Sequence, residues 1–155
     1  MPSPYFLVDT NILIRWSHHQ SPDFRAVGTA IHRLSDQGGV PCYTSQNLGE
    51  FWNVLTRPSD RNGYGLSPAI ADIRASDIES AFHLLQDSPA VHAVWRRMLV
   101  DQRISGVQVH DARIAASMLV HGISRILSFN HRDFARFPGI EALHPEQLSE
   151  PDQSL

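Results

Sequence analysis

The chain predicts an α/β protein, a parallel sheet with helices on both faces. Three observations carry that expectation. Short apolar runs ("PYFLV", "VPCYTS", "SRILSFN" and "IEALHP") recur along the sequence as candidate strands. Longer segments with helical periodicity separate them, which is the alternation that builds parallel sheets. A length of 155 residues, 42% hydrophobic and 19% charged, suits one domain with its own core.

"PYFLV" reads as a buried strand that ends at Asp9. "SPDFRAVGTAIHRLSDQGG" reads as a helix, with Ser21 as cap, Pro22 in the first turn and Gly38-Gly39 as the stop. Phe24, Val27, Ile31 and Leu34 form its apolar stripe. After the strand "VPCYTS", the helix "QNLGEFWNVLTRP" places Leu48, Phe51, Trp52 and Leu55 on one face, and Pro58 ends it. "SDRNGYGLSP" is a turn-rich loop. The region from Ala69 to Arg103 reads as helical, with a break near "QDSPA". "VHDARIAASMLVHG", closed by Gly122, is apolar nearly all round and is expected to be buried. "SRILSFN" and "IEALHP" supply the third and fourth strands, and "SEPDQSL" is a polar tail expected to lack structure. No internal repeat or linker interrupts the chain.

Composition narrows the function. The start "MPSPYFLVDTN" lacks the basic region of a secretory signal, and no apolar run reaches membrane-spanning length. A single cysteine, Cys42, excludes an internal disulfide and Cys-rich zinc sites and fits a reducing, cytoplasmic setting. A formal charge of −3 argues against a general nucleic-acid-coating role. All 13 cations are arginine. Without lysine the chain has neither a Walker-type phosphate loop nor a Schiff-base nucleophile.

The acids are more informative. Asp9 stands in the middle of "YFLVDTNILI", where an isolated buried carboxylate costs several kcal/mol unless something satisfies it. In open parallel sheets, ligands bind beyond the carboxyl ends of the strands. Asp9 ends the first strand, Asp111 opens the apolar helix, and Asp133 follows "ILSFN" by three residues. Glu50 points away from the apolar stripe of its helix. Each acid alone has a plainer explanation: a solvated surface, a helix start favouring negative charge, or a turn. Together at one sheet edge they would repel one another. Mg²⁺ or Mn²⁺ would relieve that repulsion and supply the chemistry of nucleases and phosphatases.

"FLVDTNILI", "SQNLGEFWNVLTRP" and "SGVQVHDARIAASMLVHGISRILSFNHRDFARFPGIEALHP" resemble the motifs of PIN-domain ribonucleases, in particular VapC-type toxins of bacterial toxin–antitoxin pairs. The resemblance spans residues 5 to 145 and is least specific between Arg57 and Val100. It implies a PIN-like three-layer fold, with a central parallel sheet of four or five short strands, over residues 1–148, and a tail at 149–155. It implies Mg²⁺-dependent endoribonuclease activity, a cognate antitoxin and a homodimer. Carried over by motif, Asp9 and Asp111 correspond to the family's principal metal carboxylates, Asp133 to the acid of its final motif, and Glu50 to its helix glutamate. Asn11, Ser128 and Asn130 correspond to supporting cleft residues, with Ser128 where the family often has threonine.

Arg113, Arg132 and Arg136 lie near these motifs and are candidate contacts to RNA phosphates. Trp16, Trp52 and Trp95 are candidates for base stacking, although the spacing of Trp52 is that of a core residue. None of the 9 histidines shows zinc-site spacing. His18 and His19 are expected at the surface, and His110 is expected to point away from Asp111. Three rival readings fit the sequence less well, and the silent module among them remains the alternative. A receiver or haloacid-phosphatase protein would require a lysine, and the latter a DxD where this chain has "DTN". A catalytically silent PIN-like RNA- or protein-binding module and a structure-specific DNA repair nuclease are the others.

Overall fold

A computed structural model describes residues 3–148; the polar tail expected at 149–155 lies outside the described residues. Five parallel strands form the sheet: β1 (Tyr5–Val8), β2 (Val40–Thr44), β3 (His83–Leu85), β4 (Arg125–Leu127) and β5 (Glu141–Leu143), in the order β3-β2-β1-β4-β5. The chain builds outward from β1 to β2 and β3, then crosses back to place β4 and β5 on the other side. Strand order therefore reverses at β1, the place where such sheets open a crevice at their carboxyl edge.

Successive side chains of β1 point to opposite faces, so each face has a core of its own. Phe6 and Val8 pack with residues of α1 (Thr10–Trp16), α2 (Phe24–Asp36), α3 (Ser45–Thr56) and α4 (Pro68–Ala81). Leu7 and Ile126 pack on the opposite face with α5 (Pro89–Asp101), α6 (Gln108–Val120) and α7 (His131–Ala135). The result is three layers, helix–sheet–helix. The small residues Ala112, Ala115 and Ala116 bury α6 closely, as its apolar circumference predicts.

Two local expectations need correction, and one short helix is added to them. The helix expected from Ser21 starts at Phe24; Ser21 Oγ instead accepts from the Asp23 N–H at 3.2 Å, closing a turn ahead of the helix. The apolar run after Asp9 is the short helix α1, whose N-cap is Asp9 itself. The stretch expected to be helical between Ala69 and Arg103 contains β3, only three residues long. No periodicity is detectable in so short a run. It becomes a strand because His83, Leu84 and Leu85 pair with Cys42, Tyr43 and Thr44. Among the described residues no helix is long and apolar enough to cross a membrane.

Candidate active site

Asp9 joins the end of β1 to the start of α1, which it caps, and this junction restrains its carboxylate. Its backbone N–H donates to the Leu127 carbonyl at 3.0 Å, the last bond holding β1 to β4. Its Oδ1 accepts from the Thr10 N–H at 2.8 Å, and its Oδ2 accepts from the fully buried Ser128 Oγ at 2.6 Å. Ser128 is fixed in turn. Its Oγ accepts from the Asn130 N–H at 2.9 Å and, more weakly, from Asn11 Nδ2 at 3.4 Å. Asn11 Oδ1 accepts from the Phe129 N–H at 3.2 Å, tying the β1–α1 junction to the end of β4.

Glu50 reaches the same place from α3. A capping box starts that helix: Thr44 Oγ1 accepts from the Asn47 N–H, and Asn47 Oδ1 accepts from the Thr44 N–H at 2.9 Å. Asn47 is wholly buried, and its Nδ2 donates to Thr10 Oγ1 at 3.1 Å. Thr10 Oγ1 donates onward to Glu50 Oε2 at 2.7 Å. The other carboxylate oxygen, Oε1, accepts from Gln46 Nε2 at 2.9 Å. Gln46 Nε2 also donates to the His110 carbonyl at 2.9 Å, which straps the first turn of α6, and with it Asp111, to α3.

Asp9, Asn11, Glu50, Asp111 and Asn130 line one open cleft of about 740 Å³ at the carboxyl edge of the sheet. Asp133 lies on α7 in an adjoining recess that shares Asn130 with the cleft, and its charge is felt by Asp111. Burial is the main reason the Asp9 carboxyl is pushed up to about 6. The Ser128 and Thr10 hydrogen bonds oppose the rise, and the charges of Asp111 and Glu50 add to it. Burial likewise raises Asp111 to about 6, reinforced by Asp133 and Glu50 and opposed by His110 and Arg136. None of the four acids makes an ion pair among the described residues. Nor do the described residues contain three His, Cys, Asp or Glu side chains close enough to enclose a metal ion as they stand. Asp133 in particular is not gathered with Asp9 and Asp111 into a single ligand cage.

The arginines divide. Arg136 Nη1 donates to Gln108 Oε1 at 2.7 Å, close enough to Asp111 to pull its carboxyl down, and Arg132 lines the recess with Asp133. Arg113 is turned elsewhere. It pairs with Asp87 at 2.7 Å and lies over the Trp95 ring, because two residues along a helix point to different faces. The arginine that does line the cleft, Arg57, was not foreseen, and neither were Thr10, Gln46 and Asn53. The Thr44-to-Asn47 spacing is a capping signal and would have pointed to Asn47; no local signal marks Gln46 or Arg57. His110 also lines the cleft beside Asp111, contrary to expectation, since the first turn of α6 lies along the rim. Trp95 Nε1 donates to the Val109 carbonyl, and Trp16 packs against Phe82, so both serve the framework.

Fold and cleft together define an α/β protein with a carboxylate site at a strand crossover. Residues 6–140 match the model of the PIN domain, and the chain belongs to that family. It is 31% identical over 140 residues to Ribonuclease VapC48 of Mycobacterium tuberculosis, covering 88% of this chain and 94% of that protein. The fold is shared with the VapBC complex of Salmonella typhimurium, solved bound to DNA (TM-score 0.66, 19% identity, 94% of this chain and 99% of that one). It is also shared with Mycobacterium tuberculosis VapC20, a toxin that cleaves the sarcin–ricin loop (TM-score 0.59, 21% identity, 84% and 93%).

Proposed function

We propose that the protein is a Mg²⁺-dependent endoribonuclease and the toxin of a type II toxin–antitoxin pair, acting in the cytoplasm. The observation that carries this is the convergence of Asp9, Glu50 and Asp111 on one open cleft, where none of them makes an ion pair among the described residues. The relationship to Ribonuclease VapC48 supports RNA as the substrate class. The VapBC complexes among proteins of the same fold support an antitoxin partner. A homodimer is part of the same proposal.

The donor set fits the ion. Mg²⁺ takes oxygen ligands and is commonly bound through one or two carboxylates while keeping several waters, so a closed protein cage is not required. Asp9 and Asp111 would hold it, with Asp133 contributing across the adjoining recess; Mn²⁺ would substitute. Bound there, it would supply an activated water and neutralise charge on a phosphoryl oxygen. The chain's residues do the rest. Ser128 and the Thr10 N–H hold both oxygens of Asp9 in fixed directions. Thr10 and Gln46 likewise fix Glu50, which would orient a water in the cleft. Arg57 on the cleft wall, with Arg132 and Arg136 beside it, would neutralise the RNA backbone as it passes.

The test is cleavage of single-stranded RNA by the purified protein. Activity is expected with Mg²⁺ or Mn²⁺ and is expected to vanish in EDTA; undiminished cleavage in EDTA would remove the metal mechanism. In cells, expression alone should arrest growth, and co-expression with the product of the adjacent gene should relieve the arrest.

A further inference from the structure

Beside the acid cleft lies a second recess of about 370 Å³, lined by Phe129, Asn130, His131, Arg132, Asp133 and His144. Three of these residues carry rings in a continuous series. Phe129 and His144 meet edge to face at 5.2 Å between centroids, and His144 and His131 meet the same way at 5.1 Å. The Arg15 guanidinium closes the series 4.6 Å from the centroid of Phe129, and its Nη1 donates to the Asn11 carbonyl. All three rings are only half-buried.

Two polar features of the recess are unused. The His131 ring makes no hydrogen bond among the described residues, and its Nδ1 is shielded from solvent without a partner. That arrangement is costly, and a hydrogen-bonding ligand would relieve it once the ring turned. His144 Nδ1 accepts from the Glu146 N–H at 3.1 Å, so the neutral ring carries its proton on Nε2, for which the described residues show no acceptor. The recess therefore offers π-faces together with unfilled hydrogen-bonding capacity. Its two charged residues, Arg132 and Asp133, cancel formally, so it presents no net charge to attract a charged peptide side chain.

We infer that this recess is a nucleobase subsite, receiving an unstacked base next to the phosphate held in the acid cleft. The inference rests on the ribonuclease function proposed above. Sequence-selective recognition of single-stranded RNA works through bases stacked on aromatic and histidine rings and hydrogen-bonded at their edges. Asn130 belongs to both the cleft and the recess, so a strand whose phosphate lies at Asp9 and Asp111 has the recess within reach of its neighbouring base. The subsite would set the preference for one base beside the scissile bond.

The test uses the full-length protein, Mg²⁺ and a randomised single-stranded RNA pool, with cleavage positions read by sequencing. Kinetics are then measured on one preferred oligonucleotide. Wild type is expected to favour a particular base at one position flanking the cut. The His131→Ala/His144→Ala double variant should lose that preference and raise KM on the order of tenfold, the scale of one lost stacking contact. kcat should change much less. His144→Phe, which keeps a ring and removes the N–H, should recover most of the KM but not the base preference, and it guards against a double variant that folds poorly. A double variant that melts like wild type and keeps both its cleavage pattern and its KM would overturn the subsite while leaving the nuclease standing. If the wild type cleaves no RNA, the subsite falls together with the function it rests on. If cleavage is unchanged but affinity for the adjacent gene product is lost, the recess serves a protein partner and the base assignment is wrong.

Discussion

Asp87 and Asp111 lie on either side of the first turns of α6 and experience opposite fields. Asp87 accepts a hydrogen bond from Arg113 at 2.7 Å, and that bond holds its carboxyl below the usual carboxylate range. Asp111, two residues from the same arginine in sequence, makes no ion pair among the described residues and is raised to about 6 by burial and by Asp133 and Glu50, against the weaker pull of His110 and Arg136. One helix thus separates a satisfied acid from an unsatisfied one. The paired acid serves the framework, since Arg113 also lies over Trp95 of α5. The unpaired acids carry unrelieved repulsion, and that repulsion is what a cation would remove.

Removing the charge on the unsatisfied side should have the largest effect. Asp111→Asn keeps the shape of the side chain, and its RNA cleavage is expected to fall by more than 100-fold, beyond the usual cost of losing a residue that merely supports a metal ligand. Circular dichroism should show the fold intact. A folded Asp111→Asn protein with near-normal cleavage would erase the distinction between the two aspartates.

The next effect is on stability, and its sign differs between the two sides. Asp9 and Asp111 titrate near 6 in the folded chain against an ordinary 3.8, so the folded state binds protons that the unfolded chain has released. Their favourable contribution is complete below about pH 4 and is lost as pH rises through about 6. Asp87, held low, contributes in the opposite direction: its stabilisation is present above the ordinary range and lost as pH falls through its folded value. In EDTA at pH 7.5, Asp9→Asn should therefore be more stable than wild type by about 1–3 kcal/mol, and the gap should shrink by more than half at pH 4.5, on its way to closing below about pH 4. Thermal melts at the two pH values check this. A gap independent of pH would mean that Asp9 is not strained by burial.

Gln46→Leu tests the strap that holds the unsatisfied side together. It leaves Glu50 Oε1 and the His110 carbonyl without their shared donor. Activity or Mg²⁺ affinity should drop by about 10- to 100-fold without loss of fold. Unchanged Mg²⁺ affinity and cleavage would show that the acids hold their places without it.

The smallest effect belongs to the paired side. Arg113→Ala breaks a partly exposed ion pair, so stability should fall by no more than about 1 kcal/mol. KM for RNA should stay at the wild-type value, as measured by steady-state kinetics; a marked rise would bring Arg113 back to the role of phosphate contact that its sequence position suggested.

The sequence by itself determined what local patterning can carry. The strands around "YFLV", "PCYT" and "RIL" are short apolar runs; α3 announces itself by its apolar periodicity and α6 by being apolar nearly all round. Asp9, Glu50, Asp111 and Asp133 are visible as acids out of step with those patterns. Tertiary structure decided the remainder. Three residues cannot display a period, so β3 exists only through its pairing with β2. A helix start depends on which turn closes ahead of it, which moved α2 from Ser21 to Phe24. Whether an arginine serves a cleft or a framework depends on which tertiary neighbour it meets, and that sent Arg113 to Asp87 and left Arg57, at the end of α3, on the cleft wall. The carboxylates are raised because groups distant in sequence, such as Asp9 and Ser128, are brought together out of water, and burial is a property of the folded chain alone.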